Sequence, residues 1–182
     1  MGMETVIYGY IAEPYYGNRN PEEMRRLNRQ CQRFNARVLK SLPVYDEWPP
    51  LYRGFFHVFG GFDMPGGYGD YKGRVIPFGG RYKSIEADFL HWLPKFEALL
   101  RRLLWEKVRL HVVTEYTFPL TLEWTVPLDE YSTMLEARPL APPTRWDFSG
   151  SLDFFYDAYQ NAHRQPFGPR PVMPPPATES GK

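Results

Sequence analysis

The stretch Val108-Arg109-Leu110-His111-Val112-Val113-Thr114-Glu115, turned by Phe118-Pro119-Leu120 and followed by Thr121-Leu122-Glu123-Trp124-Thr125-Val126, decides the fold. Successive side chains of a strand point to opposite faces. Over residues 107–117, Val108, Leu110, Val112 and Thr114 therefore share one face, and Arg109, His111, Val113 and Glu115 share the other. The return segment repeats the pattern, with Leu122, Trp124 and Val126 inward and Thr121, Glu123 and Thr125 outward. This is a hairpin with one buried and one wet face, hence an antiparallel pair.

Working outward, residues 4–12 are rich in Val, Ile and Tyr and read as another strand, broken by Pro14, Gly17 and Asn18. Asn20-Pro21-Glu22-Glu23 is a helix start: Asn caps, Pro suits the first helical position, and acids suit the first turn. Met24, Leu27, Cys31, Phe34 and Val38 then form an apolar stripe, and Pro43 ends the helix near Ser41. Residues 43–52 are an extended proline-rich connector carrying Asp46-Glu47-Trp48. Phe55 to Phe59 are expected to form a second strand, residues 60–73 a glycine-rich loop, and Val75, Ile76 and Phe78 a third strand. Pro77 cannot donate to a ladder and places that strand at an edge or bulge. Ser84 is expected to cap a second long helix whose apolar face runs from Ile85 to Leu103, with Pro94 kinking or splitting it near Trp92. Past Pro127 the pattern weakens to one short helix from Ser151 through His163, with Leu152, Phe155, Tyr156 and Tyr159 inward. The first six elements match the β-α-β-β-α-β order of ferredoxin-like sandwiches. The expected class is α+β: an antiparallel or mixed sheet of about five strands with two long helices packed on one face. Residues 1–163 are expected to form a single domain, and residues 164–182, which hold six prolines, a disordered tail.

Composition narrows the function. The chain has 182 residues, of which 43% are hydrophobic, enough for one core. Its formal charge is +1, without the basic excess of a nucleic-acid binder. Arg25, Arg26, Arg29 and Arg33 share a segment with Glu22 and Glu23 and read as a solvated helix face. The single cysteine, Cys31, excludes an internal disulfide and reads as a small buried hydrophobe. Residues 1–13 lack a signal-peptide pattern, and no apolar run is long enough to span a membrane, so the cytoplasm is the expected location. Aromatic residues make up 17% of the chain, so some must be exposed, and exposed aromatics serve as interface anchors.

No catalytic or cofactor signature stands out, and no cofactor or metal is expected. Gly67 and Gly69 lack the third glycine and the following helix of a phosphate-binding loop. Tyr68, Asp70, Tyr71 and Lys72 instead read as exposed positions on a mobile hairpin loop suited to partner contact. The histidines His57, His91, His111 and His163 are not spaced for a shared metal site. His111, Glu115 and Glu123 share the wet face of the hairpin, where they could serve as a binding patch or as an acid–base or metal site. Trp48, flanked by Asp46 and Glu47 on a stiff connector, has the features of a binding anchor.

Taken together, several segments are similar to those of a known family. They are Val6 to Glu13, Ser41 to Leu51, Val75-Ile76-Pro77-Phe78-Gly79-Gly80, Trp92 to Leu100, Leu110 to Glu115 and Glu123-Trp124. Over roughly residues 4–126 the chain resembles bacterial immunity proteins of polymorphic-toxin and type VI secretion systems. The resemblance implies stoichiometric neutralisation of a cognate toxin, a nuclease of the restriction-endonuclease-like class, with no enzymatic activity of the chain's own. The expected contacts are Asp46, Glu47, Trp48, Tyr68, Asp70, Tyr71, Glu115 and Glu123, and local acidic patches would supply any mimicry of nucleic acid. The alternatives are a small hydrolase-like enzyme using His111, Glu115 and Glu123, and a structural subunit of a larger assembly.

Overall fold

Residues 4–16, 19–57, 74–115 and 117–163 are described by a computed structural model. The strands are β1 (Glu4–Ala12), β2 (Val75–Lys83), β3 (Lys107–Thr114), β4 (Leu120–Thr125) and β5 (Asp147–Ser149). The helices are α1 (Pro21–Lys40), α2 (Phe89–Leu100), α3 (Leu128–Glu136) and α4 (Asp153–Ala162). The strands form one five-stranded sheet in the order β2-β1-β3-β4-β5, with every pair antiparallel. The chain is therefore an α+β fold.

The hairpin forms as its alternation dictates. Val108, Leu110, Val112 and Thr114 of β3 are buried, as are Leu122 and Trp124 of β4. β1 lies on the other side of β3, and Gly9 makes that close approach possible: a Cβ there would stand 2.0 Å from the Arg109 carbonyl oxygen. β2 is an edge strand, which accommodates Pro77.

The ferredoxin-like order does not hold. Arg53–Phe55 is a single 3₁₀ turn, and Phe56 makes one isolated bridge to Phe78. Phe55 and Phe56 are adjacent yet both buried, which the alternation of a half-exposed strand does not allow. Phe55 packs at 5.4 Å from Phe78 and 5.7 Å from Trp92. The rest of that expected strand and the glycine-rich loop lie outside the described residues.

The second long helix also starts later than its apolar pattern suggests. Ser84 takes a left-handed conformation at φ 60°, Ile85–Ala87 form a 3₁₀ turn, and α2 runs unbroken from Phe89 to Leu100 with Pro94 inside it. The interruption falls at Asp88 and not at Trp92. Contacts place α2 on the buried face of the sheet: Phe96 packs on Phe78 and Trp124, and Trp124 Nε1 donates to Glu97. α4 joins it through Phe155, which stacks on Phe89 at 3.9 Å. Each of the three most deeply buried tryptophans has its indole N–H satisfied: Trp92 by Pro50, Trp105 by Leu100 and Trp124 by Glu97.

α1 starts and stops where its caps predict. Asn20 accepts the Glu23 N–H, and Ser41 closes the C-terminus. Its buried line is Leu27, Cys31, Asn35 and Leu39, whereas Phe34 and Val38 are only partly buried. Leu39 joins the main core, while Leu27 and Cys31 pack with Tyr16 and Leu104 in a second cluster. Burial pushes the Cys31 thiol up, away from the thiolate form. Asn35 is completely buried and fixes α1 by three bonds: Nδ2 donates to Glu13 Oε1 at 2.9 Å and to the Leu104 carbonyl at 2.8 Å, and Oδ1 accepts the Leu104 N–H at 2.8 Å. Arg74 grips the same Glu13 carboxylate at 2.7 Å. Burial pushes Glu13 up from the ordinary glutamate value, against the pull of Arg74 and Asn35.

Removing Asn35 would leave buried groups on both partners unsatisfied. Asn35→Ala is expected to lower unfolding free energy by about 2–4 kcal/mol in urea titrations. Asn35→Asp should cost at least as much at neutral pH, because it sets a second carboxylate beside Glu13. A loss below about 1 kcal/mol for both variants would show that the network is not what holds α1.

Candidate functional site

The connector that follows α1 is rigid, and its own polar groups make it so. Asp46 Oδ1 accepts the Glu47 N–H at 3.0 Å, and Oδ2 accepts the Leu51 N–H at 2.9 Å. Lys95, on α2, completes the brace. Its Nζ donates to Asp46 Oδ2 at 2.9 Å and to the carbonyls of Glu47 and Pro49, each at 3.0 Å. An ammonium has three protons, and here all three go into one loop. The base of the loop is closed by the Arg53 N–H on the Pro43 carbonyl. The Pro50 carbonyl accepts from Tyr82 Oη and Trp92 Nε1, which ties the loop to the core.

This brace holds apolar side chains in the open. Tyr45 is 90% exposed, Val44 54% and Trp48 51%. Trp48 is oriented as well as exposed: its Nε1 donates to Asp88 Oδ2 at 2.7 Å, and its ring meets Tyr82 edge-on at 6.4 Å. A tyrosine and a tryptophan on a fixed backbone lose little entropy on binding, which is the property of an interface anchor.

The expected site residues fall into separate groups. Trp48 is in the exposed cluster and Glu47 is exposed beside it, but Asp46 faces inward as part of the brace. Tyr68, Asp70 and Tyr71 lie outside the described residues. Glu115 lies just past the end of β3 and accepts the Glu4 N–H at 3.3 Å. Glu123 is on the outer face of the sheet, held by Lys107 at 2.8 Å and Arg109 at 2.7 Å. These two cations, Lys107 first, hold its carboxyl below the ordinary glutamate value.

His111, Glu115 and Glu123 do not converge. His111 faces Thr121, bonded at 2.9 Å, with its ring against Tyr8 at 5.1 Å. Glu123 is registered opposite Arg109, six positions before Glu115, or about 20 Å along a strand. The pocket that the enzyme alternative requires of these three is therefore not formed. Among the described residues, no three His, Cys, Asp or Glu side chains are placed to hold a metal ion. No described helix is long and apolar enough to cross a membrane.

Sequence reasoning missed Val44, Tyr45, Lys95 and Asp88. Tyr45 carried a usable signal, being an aromatic in a proline-bounded connector. Lys95 and Asp88 carried none, since their role arises only when α2 is folded against the loop. No family model matches the chain, and neither a curated protein nor a solved structure matches it.

The state of Asp46 sets the pH range of the brace. Partial burial works to raise its pKa, but the Leu51 N–H, the Lys95 ammonium and the Glu47 N–H outweigh it and hold the carboxyl below the ordinary value. The contribution is complete above the unfolded aspartate value of about 3.9 and is lost as pH falls through the lower folded value. The Leu51 amide resonance, whose N–H donates to Asp46 Oδ2, should stay in place from neutral pH down to about pH 4 and move only below it. Asp46→Asn should shift it at every pH. A midpoint at or above the ordinary aspartate value would show that Asp46 is not braced.

Proposed function

We propose that this protein acts by stoichiometric binding of a protein toxin, as the resemblance to immunity proteins implies, with Val44, Tyr45 and Trp48 as its apolar anchor. One observation carries the reading: the Pro43–Leu51 loop displays Val44, Tyr45 and Trp48, with Glu47 exposed beside them, while Asp46 and the carbonyls of Glu47, Pro49 and Pro50 are turned inward to fix it. Such an arrangement favours tight contact through preorganisation and apolar burial.

Mimicry of nucleic acid through the expected acids receives less support. Asp46 is bound to Lys95, and Glu123 is neutralised by Lys107 and Arg109. The anchor reading therefore rests on shape and apolar area more than on a negative field.

The test is co-expression with the product of each gene flanking its own, scored by bacterial growth and then by co-purification. A toxic neighbour should be neutralised and should form a stable complex. Tyr45→Ala and Trp48→Ala are each expected to weaken that complex about 30-fold or more, corresponding to about 2 kcal/mol. Neutralisation with neither variant affected would move the anchor elsewhere. Failure of every neighbouring product to be toxic or to bind would overturn the toxin reading.

A further inference from the structure

The solvent side of α1 carries a second feature that the anchor loop does not explain. Arg26, Arg29, Arg33, Arg37 and Lys40 follow at i, i+3, i+7, i+11 and i+14. At about 100° per residue all five fall within about 80° of the helix circumference and extend for about 21 Å along it. The stripe lies opposite the buried line of Leu27, Cys31, Asn35 and Leu39. Six cations against two acids give α1 a formal +4, whereas the whole chain carries only +1.

These charges are not compensated. The acids Glu22 and Glu23 are confined to the first turn, and Glu23 is approached at 4.0 Å by Arg138. None of the five stripe residues is ion-paired among the described residues. The Arg37 Nε instead donates to the Arg33 carbonyl at 3.2 Å. Like charges at Arg29/Arg33 and Arg33/Arg37 destabilise a helix, so the array opposes folding and needs another reason to exist.

A groove of about 420 Å³ runs along one shoulder of the stripe. Arg26, Arg37 and Arg138 stand on it, with Gln30 between them and the partly buried Phe34 and Leu140 forming an apolar floor. Guanidinium groups over an apolar floor match carboxylates that flank an apolar side chain, and the planar fork binds carboxylate in bidentate fashion. We infer that this face of α1 docks a short acidic, amphipathic segment of a protein partner. The charge balance favours such a segment over a nucleic acid or a membrane. Those polyanions extend well beyond one helix and would meet the remainder of the chain, which is net negative. The inference rests on α1 alone and holds whether or not the partner is a toxin.

The probe is a fluorescent peptide of about four helical turns, with Glu along one face and Leu at the spacing of the other. It is titrated into the full-length protein and followed by anisotropy. Saturable binding is expected at low ionic strength and should weaken as salt is added. The triple substitution Arg29→Gln, Arg33→Gln, Arg37→Gln should reduce affinity by at least about tenfold. It removes like-charge repulsion without adding charge of the other sign, so circular dichroism and the thermal midpoint should not fall. A peptide with every Leu replaced by Ser should bind less tightly than the probe, and Tyr45→Ala should leave the probe's affinity unchanged. The inference is overturned by any of three results: no binding at low salt, binding indifferent to the triple substitution, or tighter binding of a thymidine oligonucleotide or of phosphatidylserine vesicles under the same conditions.

Discussion

Asn35 joins three separate parts of the chain through one buried amide: the residue after β1, α1 itself, and Leu104 on the approach to β3. Arg74, just before β2, enters the same network through Glu13. The network thus brackets the sheet, because β1, β2 and β3 each have one end beside it. An apolar residue at position 35 could pack there but could not satisfy the Leu104 backbone or the Glu13 carboxylate. A buried polar network specifies one arrangement where an apolar contact would accept several. That specificity matters for a helix whose opposite side repels itself.

The second constraint is aromatic. Phe55, Phe78, Phe96, Trp124 and Phe148 contact in sequence across the buried face, and Trp92, Phe89 and Phe155 continue the contacts through α2 to α4. Rings of this size dominate the area removed from water. Their polar edges do further work. The Trp92 indole reaches the Pro50 carbonyl and the Tyr82 hydroxyl reaches the same atom, so the core positions the loop that displays Tyr45 and Trp48. Core and candidate site are one mechanical unit.

Much of this was legible in the sequence where a local rule is strong. The alternation of residues 107–126 produced β3 and β4, and Asn20-Pro21 and Ser41 bounded α1. The rule failed where burial depended on partners far away in the chain. Asn35 is polar and lies outside the apolar stripe of α1, yet it is buried because Glu13 and Leu104 meet it there. Phe55-Phe56 reads as a strand because both are apolar, but the two rings are buried from a 3₁₀ turn and a single bridge to Phe78. α3 and the three-residue β5 have patterns too short to stand out, although Asp129 and Glu130 in the first turn of α3 were a readable start signal. Within the site, Trp48 was legible as an aromatic on a stiff connector. The bond from Lys95 to Asp46 is not legible there, because the two lie 49 positions apart.

The same distinction governs the charges. Counting residues gives a nearly neutral chain, and neutrality suggests a surface without electrostatic character. The folded chain sorts its charges instead. Two of the acids singled out in the sequence are neutralised where they stand, Asp46 by Lys95 and Glu123 by Lys107 and Arg109. Among the described residues Arg26, Arg29 and Arg33, which read in the sequence as part of a solvated face, stand unpaired with Arg37 and Lys40 along about four turns of one helix. A local field depends on which charges lack partners and not on their total, because an ion pair's field falls off far faster than that of a lone charge. On that basis Asp46 and Glu123 support structure, and the longest unpaired array of charge among the described residues lies on α1. The two candidate surfaces then differ in kind: the braced loop offers apolar area with one exposed acid, Glu47, beside it, and the helix offers positive charge beside a small apolar floor. They also follow one another in the chain, since Lys40 ends the stripe three residues before Pro43 opens the loop.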